Sequence, residues 1–427
     1  DYPQTPGVMH GESYCYFRRG GNYRLIASLD ERAGYTLLRY DSRCGVLTIS
    51  RDCAGVRCGG VFPALELYYA EGGEDAVFDG WFAAMGVKSR GAKRLCGYSS
   101  WYNRYQNIDA ESITGDLAGC AEHMLRGDLF QIDDGWEPAV GDWLETDAKK
   151  FPDGLKGTVR DIHGRGFLAG LWLAPFVCQK DSKIFREHPD WLLLHDGKPW
   201  YCGSNWGGFY ALDIDNAEFV RYLEQTFSLV LDDWGFDLVK LDFLYAAAPF
   251  GDARESRAGR MTRALELLRR LCGDKLILGC GVPLMPSFGL VDYCRISCDV
   301  GLDWDNSLIM RHTNRERVST RQAIGNSISR RQLNGRAFGN DPDVFFLRER
   351  NIRLSETDKY KLAVVNSLFG TLFLTSDNMG EYGSEAAALY ERLRTLSERA
   401  ENIRVDTDNG LTVYYDLEGT EQVLEIE

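Results

Sequence analysis

Val239-Lys240-Leu241-Asp242-Phe243 sets two charged side chains two residues apart among apolar ones. In a strand, alternate residues face opposite sides. Lys240 and Asp242 then share one face, and Val239, Leu241 and Phe243 share the other. A strand covered on both faces is cheapest when it is wholly apolar. Burying a cation and an anion costs desolvation unless they are paired or used. This segment is therefore the candidate chemical centre.

Outward from it, short apolar runs alternate with longer helical stretches. Strands are predicted at 95–101, 129–133, 167–174, 238–243, 276–280, 291–297, 336–345 and 371–375, with helical patterns between them such as 217–233 and 259–271. Eight strand–helix repeats over about 300 residues match a (β/α)8 TIM barrel, an α/β fold. The barrel is assigned to residues 86–395. Residues 1–85 read as a partial N-terminal β-sandwich with a linker helix, on strand patterns at 14–17, 23–26, 35–38 and 46–49. Residues 396–427 read as a small C-terminal β appendage, with patterns at 411–415 and 422–426.

Charge and cysteine usage narrow the function. A net charge of −14 argues against a nucleic-acid backbone or an anionic membrane as partner and suits a neutral small molecule. No run of about 18 uncharged apolar residues is present, so no membrane-spanning helix is expected. The twelve cysteines form no C-x-x-C pair and no zinc spacing. They read as reduced, mostly buried thiols of a cytoplasmic protein. The sequence leaves room for a homo-oligomer.

In such barrels the site forms where strands run into the loops that follow them. Those ends carry Trp101, Asp133 and Asp134, Trp172, Lys240 and Asp242, Cys280 and Gly281, Arg295 and Asp299, and Asp341 and Asp343. The rim is dense in carboxylates and aromatic rings. The six histidines lie at 10, 123, 163, 188, 195 and 312, away from these ends, and no metal is expected. No P-loop or strict GxGxxG is present, and no cofactor is expected. Aromatic faces stack on the C–H faces of a pyranose, carboxylates accept from its hydroxyls, and two further carboxyls supply nucleophile and acid. Lys240, on the same face as Asp242, favours its carboxylate form. Arg295 stands four residues before Asp299, roughly 13 Å along an extended strand. It is therefore expected to support Asp242 rather than Asp299. Asp341 and Asp343 read as structural residues of the loop after the seventh strand.

Seven segments in order carry a resemblance. They are Gly97-Tyr98-Ser99-Ser100-Trp101-Tyr102, Gln131-Ile132-Asp133-Asp134-Gly135-Trp136, His188-Pro189-Asp190-Trp191, Lys240-Leu241-Asp242-Phe243, Leu278-Gly279-Cys280-Gly281, Arg295-Ile296-Ser297-Cys298-Asp299 and Asn340-Asp341-Pro342-Asp343. Together they resemble the melibiase-type α-galactosidases of glycoside hydrolase family 36, across the whole barrel. The resemblance implies a retaining α-galactosidase acting on oligosaccharides such as melibiose or raffinose. It implies Asp242 as nucleophile and Asp299 as general acid/base. Asp133 and Asp134 would grip O4 and O6, and Lys240 would donate to O3 and O4. Trp101 and Trp172 would contact the sugar ring, Arg295 would lie near the nucleophile and O2, and Cys280 and Gly281 would form the O2-side wall. The alternatives are an α-N-acetylgalactosaminidase, an α-galactosyl transferase of the same fold, or a non-catalytic sugar-binding relative. Family members carry a larger N-terminal β-domain that contributes a capping tryptophan. Here the only tryptophan before residue 90 is Trp81, in a helix-like stretch at 74–85, so that cap is expected to be missing or replaced.

Overall fold

The computed structural model describes residues 5–305, 318–407 and 410–426. The opening motif occupies the strand Leu238–Leu241, which lies between Leu168–Leu173 and Leu276–Gly279 in a parallel sheet. Lys240 stands in register with Trp172 on one side and Leu278 on the other. The full strand order is 339–341, 293–295, 276–279, 238–241, 168–173, 129–132, 95–99, 372–375 and 344–345. The first and last of these, Gly339–Asp341 and Val344–Phe345, belong to one stretch of chain. Gly339–Asp341 pairs with Tyr293–Arg295, and Val344–Phe345 pairs with Leu372–Thr375. The sheet therefore closes on itself through residues 339–345, giving the eight-stranded barrel expected from the alternation.

The seventh predicted strand is split for a physical reason. Pro342 has no N–H to give a ladder, and Asp343 sits at φ 74°, outside the extended region. The chain kinks at these two residues, so one half of the strand serves each neighbour. Six of the other strands stop short of their predicted ends because the polar rim residues leave the ladder, and only the strand ending at Thr375 runs to its predicted end. Leu95–Ser99 ends before Trp101, and Tyr293–Arg295 ends well before Asp299.

The barrel helices begin where a short polar side chain can satisfy free backbone N–H groups. Asp109, Asn216, Ser256, Ser319 and Ser355 each accept from an N–H of the first turn. The pattern at 217–233 is realised as helix Ala217–Ser228, whose continuation Leu229–Trp234 widens into π-type turns before Gly235 at φ 90°.

The N-terminal region holds two three-stranded antiparallel sheets, Val8–Glu12, Tyr35–Asp41, Val46–Asp52 and Tyr14–Arg19, Asn22–Ser28, Leu67–Gly72. Helix Glu74–Met85 buries Val77, Phe78, Trp81 and Phe82. Two of these strands, Val8–Glu12 and Leu67–Gly72, go beyond the four expected. The tail likewise has three strands, Glu401–Asp406, Thr412–Leu417 and Thr420–Glu425, where two were expected. Val8–Glu12 and Glu401–Asp406 are largely exposed, and Leu67–Gly72 alternates exposed with half-buried residues but carries apolar side chains on both faces, so none shows the apolar–polar alternation that marks a half-buried strand.

One buried acid in the N-terminal region sets a pH dependence. Glu31 is buried, and its two oxygens accept from the Thr36 N–H at 3.1 and 3.0 Å. Burial pushes its pKa from 4.5 up to about 7, with the Thr36 hydrogen bonds opposing. The folded protein thus keeps a proton that the unfolded chain gives up at lower pH. This stabilisation is complete below the unfolded value and is lost as pH rises through about 7. Glu31→Gln is expected to remove that part of the slope, worth up to roughly 3 kcal/mol. Denaturant unfolding of both proteins from pH 5 to 8 checks it, and profiles that run parallel would refute it.

Candidate active site

Lys240 is buried and donates to Asp133 Oδ2 at 2.8 Å. Burial is the largest single influence and favours loss of its proton, but the surrounding negative charges, Asp133 foremost and Asp242 among them, together outweigh it and raise the lysine pKa. The direct partner of Lys240 is therefore Asp133 on the second strand's end, and Asp242 acts on it only through space. Gln131, two residues before Asp133 and on the same face, donates to the same oxygen at 3.0 Å. The Ser100 hydroxyl donates no bond here but meets the Asp133 N–H, which gives its hydrogen to Ser100 Oγ at 2.9 Å. Asp133 Oδ1 takes the Asp134 N–H at 3.0 Å. A carboxylate this fully engaged has one orientation.

Asp242 follows the last strand residue. Its Oδ1 accepts from the Phe243 N–H at 2.7 Å, and its Oδ2 from the Trp172 indole N–H at 3.3 Å. Phe243 sits at φ 53°, so the chain turns sharply there. Gly281, at φ 55°, lies beneath this turn, and a Cβ on it would come within 3.2 Å of Asp242 Oδ1. A side chain there would press on the carboxylate, and the positive φ also favours glycine.

Asp299 is half-exposed, and its Oδ1 accepts from Arg295 Nη1 at 2.8 Å. The buried Arg295 also bonds Asp341 through Nε at 2.9 Å and Asp343 through Nη2 at 2.9 Å. Asp343 takes further bonds from the Tyr102 hydroxyl and the Val300 N–H, both at 2.9 Å. Burial pushes the Asp343 pKa up to about 6, with Arg295 pulling it down and Asp299 and Asp341 pushing it up. Two expectations are corrected here. Arg295 bonds Asp299, and no bond to Asp242 is seen among the described residues. The 13 Å figure assumed continuing extended chain, but the strand ends at Arg295 and the following turn folds Asp299 back to it. Asp341 and Asp343, expected as loop scaffolding, line the cavity and hold this arginine.

Asp134 Oδ2 accepts from Gln106 Nε2 at 2.8 Å and from the Trp206 indole N–H at 3.0 Å. Trp206 comes from an excursion between the third and fourth barrel strands, where Val177–Gln179, Tyr201–Gly203 and Phe209–Ala211 make a small antiparallel sheet. It sits at φ 52° in a turn followed by Gly207 and Gly208. Its ring centroid lies 5.0 Å from that of Phe243 and 6.1 Å from that of Trp172.

These groups surround one open cavity. Asp133, Asp134, Trp101, Trp172, Lys240, Asp242, Arg295 and Asp299 all line it. Cys280 and Gly281 do not. The Cys280 thiol is buried in the field of Asp242, with its pKa pushed well up by burial, and Gly281 lies beneath Asp242. Among the described residues, no group of three or more His, Cys, Asp or Glu could hold a metal ion.

A family model described as Melibiase matches residues 92–264, which carry the first four barrel strands and the Trp206 excursion. An α-galactosidase of Thermus thermophilus, solved with p-nitrophenyl α-D-galactopyranoside, is 30% identical, with a TM-score of 0.78 over 96% of this chain and 80% of that one. This chain belongs to the melibiase family, glycoside hydrolase family 36. The same Thermus enzyme solved with stachyose gives 31% identity and a TM-score of 0.75, covering 90% of this chain and 80% of that one. The α-galactosidase of Escherichia coli is 32% identical over 182 residues, 40% of this chain and 25% of that one. AgaA of Geobacillus stearothermophilus is 30% identical over 151 residues, 34% of this chain and 20% of that one. The chain thus matches a quarter or less of the length of these two curated relatives.

Within this melibiase barrel stand several residues to which the sequence assigned no role. Trp206, Asn205, Tyr102 and Gln131 line the cavity, and Gln106 and Glu137 stand behind Asp134. Gln131 was findable, since it shares a strand face with Asp133. The excursion carried a weaker signal, an indole beside two glycines. Trp81 does not reach the cavity. It is fully buried, and its indole N–H donates to the Ser28 carbonyl at 2.8 Å.

Proposed function

We propose that this chain is a retaining α-galactosidase that releases terminal α-linked galactose from oligosaccharides such as melibiose or raffinose. The observation that carries the reading is that Asp242 and Asp299, beyond the ends of different strands, open on one cavity, each held by its own donors. In the first step an Asp242 oxygen attacks the anomeric carbon from the β side as the bond to the leaving oxygen breaks. Asp299 passes its proton to that oxygen. In the second step Asp299 takes a proton from water, whose oxygen displaces Asp242 and returns the α configuration. The Phe243 and Trp172 N–H groups hold Asp242 in line throughout.

Asp133, Asp134 and Lys240 supply a dense set of acceptors and donors for the sugar hydroxyls. An axial O4 would bridge Lys240 and Asp134. A glucoside leaves those buried polar groups unpaired, which is a strong basis for rejection. The Trp101 and Trp172 rings offer apolar faces to the ring carbons. The complexes of the Thermus enzyme with a nitrophenyl galactoside and with stachyose support a galactoside as ligand. The twelve cysteines, none in a disulfide, fit a reducing cytoplasm.

Proton NMR of early p-nitrophenyl α-galactoside hydrolysis tests the reading. The expected first product is α-galactose, which then mutarotates. First appearance of the β anomer would reject double displacement.

A further inference from the structure

Glu137 lies two residues beyond Gly135, at the end of the second barrel strand, and takes no direct part in the reaction described above. We propose that Glu137 is a positioning residue, whose carboxyl donates a hydrogen bond to Asp134 and holds it where it accepts the sugar hydroxyls. The inference rests on the galactoside reading of the cavity.

The geometry is confined. Glu137 is buried, and its Oε2 accepts from the Gly135 N–H at 3.3 Å. Asp134, three residues earlier, is buried beside it, with the two carboxyls within hydrogen-bonding reach. Gly135 makes this possible. It sits at φ 115°, and a Cβ there would meet the Gln106 backbone at 2.8 Å. The turn is therefore tight enough to fold Glu137 back on Asp134 while Gln106 approaches from the other side.

A bond between two carboxyls needs a proton on one of them. The surrounding charges require the same. Lys240 is committed to Asp133, and Lys150 Nζ bonds the carbonyls of Gln106 and Gly135. Among the described residues no cation bonds Asp134 or Glu137. Two buried acids without a cation of their own share a proton, as paired carboxyls do at close range. The partners decide which one keeps it. Asp134 Oδ2 takes two N–H donors, from Gln106 and Trp206, and these require an anionic or at least an accepting oxygen. Glu137 has backbone N–H donors only. Burial first, then the Asp134 charge, pushes the Glu137 pKa well above its ordinary value, and burial also raises that of Asp134. The proton therefore resides on Glu137. Asp134 Oδ1 is buried and no N–H or hydroxyl of the described residues donates to it, so it is the acceptor left for the Glu137 proton. With that proton in place, the plane of the Asp134 carboxylate is fixed where it lines the cavity.

The test compares wild type, Glu137→Gln and Glu137→Leu in two measurements. The first is kcat and KM for p-nitrophenyl α-galactoside against pH. The charged groups facing the pair are Asp133 and Lys240 from the barrel strands and Lys150 from the segment after Asp147. Glutamine still donates but does not titrate. Its KM at pH 6 is expected within about threefold of wild type, without the rise in KM that wild type shows toward alkaline pH. Leucine removes the donor and is expected to raise KM about tenfold or more. Equal KM values for the two variants, or an alkaline rise that persists in Glu137→Gln, would overturn the proposal. The second measurement is melting temperature against pH, without substrate. Wild type should lose stability toward alkaline pH as the shared proton leaves, and Glu137→Gln should lose less. Equal pH slopes would overturn the shared proton. A wild-type protein that fails to cleave or bind galactosides rejects the functional reading, while the thermal comparison still decides the hydrogen bond.

Discussion

Asp242→Gly is expected to lower hydrolysis of p-nitrophenyl α-galactoside on the order of 10,000-fold or more, the scale seen when a covalent nucleophile is lost. Added azide should restore turnover and yield β-galactosyl azide. The geometry favours that rescue. Removing the carboxylate opens a small space above Gly281, lined by the Phe243 N–H and the Trp172 indole N–H that held the two oxygens. An anion entering there meets the same two donors and faces the anomeric carbon from the β side. One displacement occurs instead of two, so the configuration inverts. Full activity in the variant would remove Asp242 from the mechanism. An azide product of α configuration would place the nucleophile elsewhere.

Asp299→Ala is expected to separate substrates by their leaving groups. Melibiose and raffinose depart as sugar alkoxides unless protonated, and their hydrolysis should fall about 100- to 10,000-fold, the usual range for general acid catalysis. The nitrophenolate leaves without help, so its departure should be far less affected. The galactosyl ester then accumulates because the base for water is also gone, and a burst of nitrophenol should precede a slow steady state. Equal losses on both substrates would point to another acid. Asp303 and Asp305 are the near candidates in sequence, but neither lines the cavity, and Asp305 accepts from the Ser319 hydroxyl at 2.9 Å. The variant also frees Arg295 from one of its three carboxylates. Asp341 and Asp343 still engage the guanidinium, so the arginine should keep its place.

The arginine shows where the sequence stopped being a guide. A four-residue separation keeps Asp299 away from Arg295 only if the strand continues between them. It ends at Arg295, and the turn after it brings Asp299 within 2.8 Å. The same limit applies to Asp343. Its pattern, Asp341-Pro342-Asp343, marks a break in a strand, but not which neighbours the two halves join. Only the closed ring shows that the break puts both acids on Arg295. Trp206 is the larger omission. It lies 36 positions before Asp242 in a stretch without period-two or helical spacing, so no pattern assigns its face.

Strand-by-strand alternation was enough to establish the barrel, the inward face of Lys240, and the row of acids and tryptophans at the strand ends, because a period of two is a local property of the backbone. Partner choice was not legible in that way. Lys240 bonded to Asp133, Arg295 shared among three carboxylates, and Trp206 donating to Asp134 each depend on where distant segments land once the ring closes. Those contacts join groups whose separation along the chain carries no information about their separation in space.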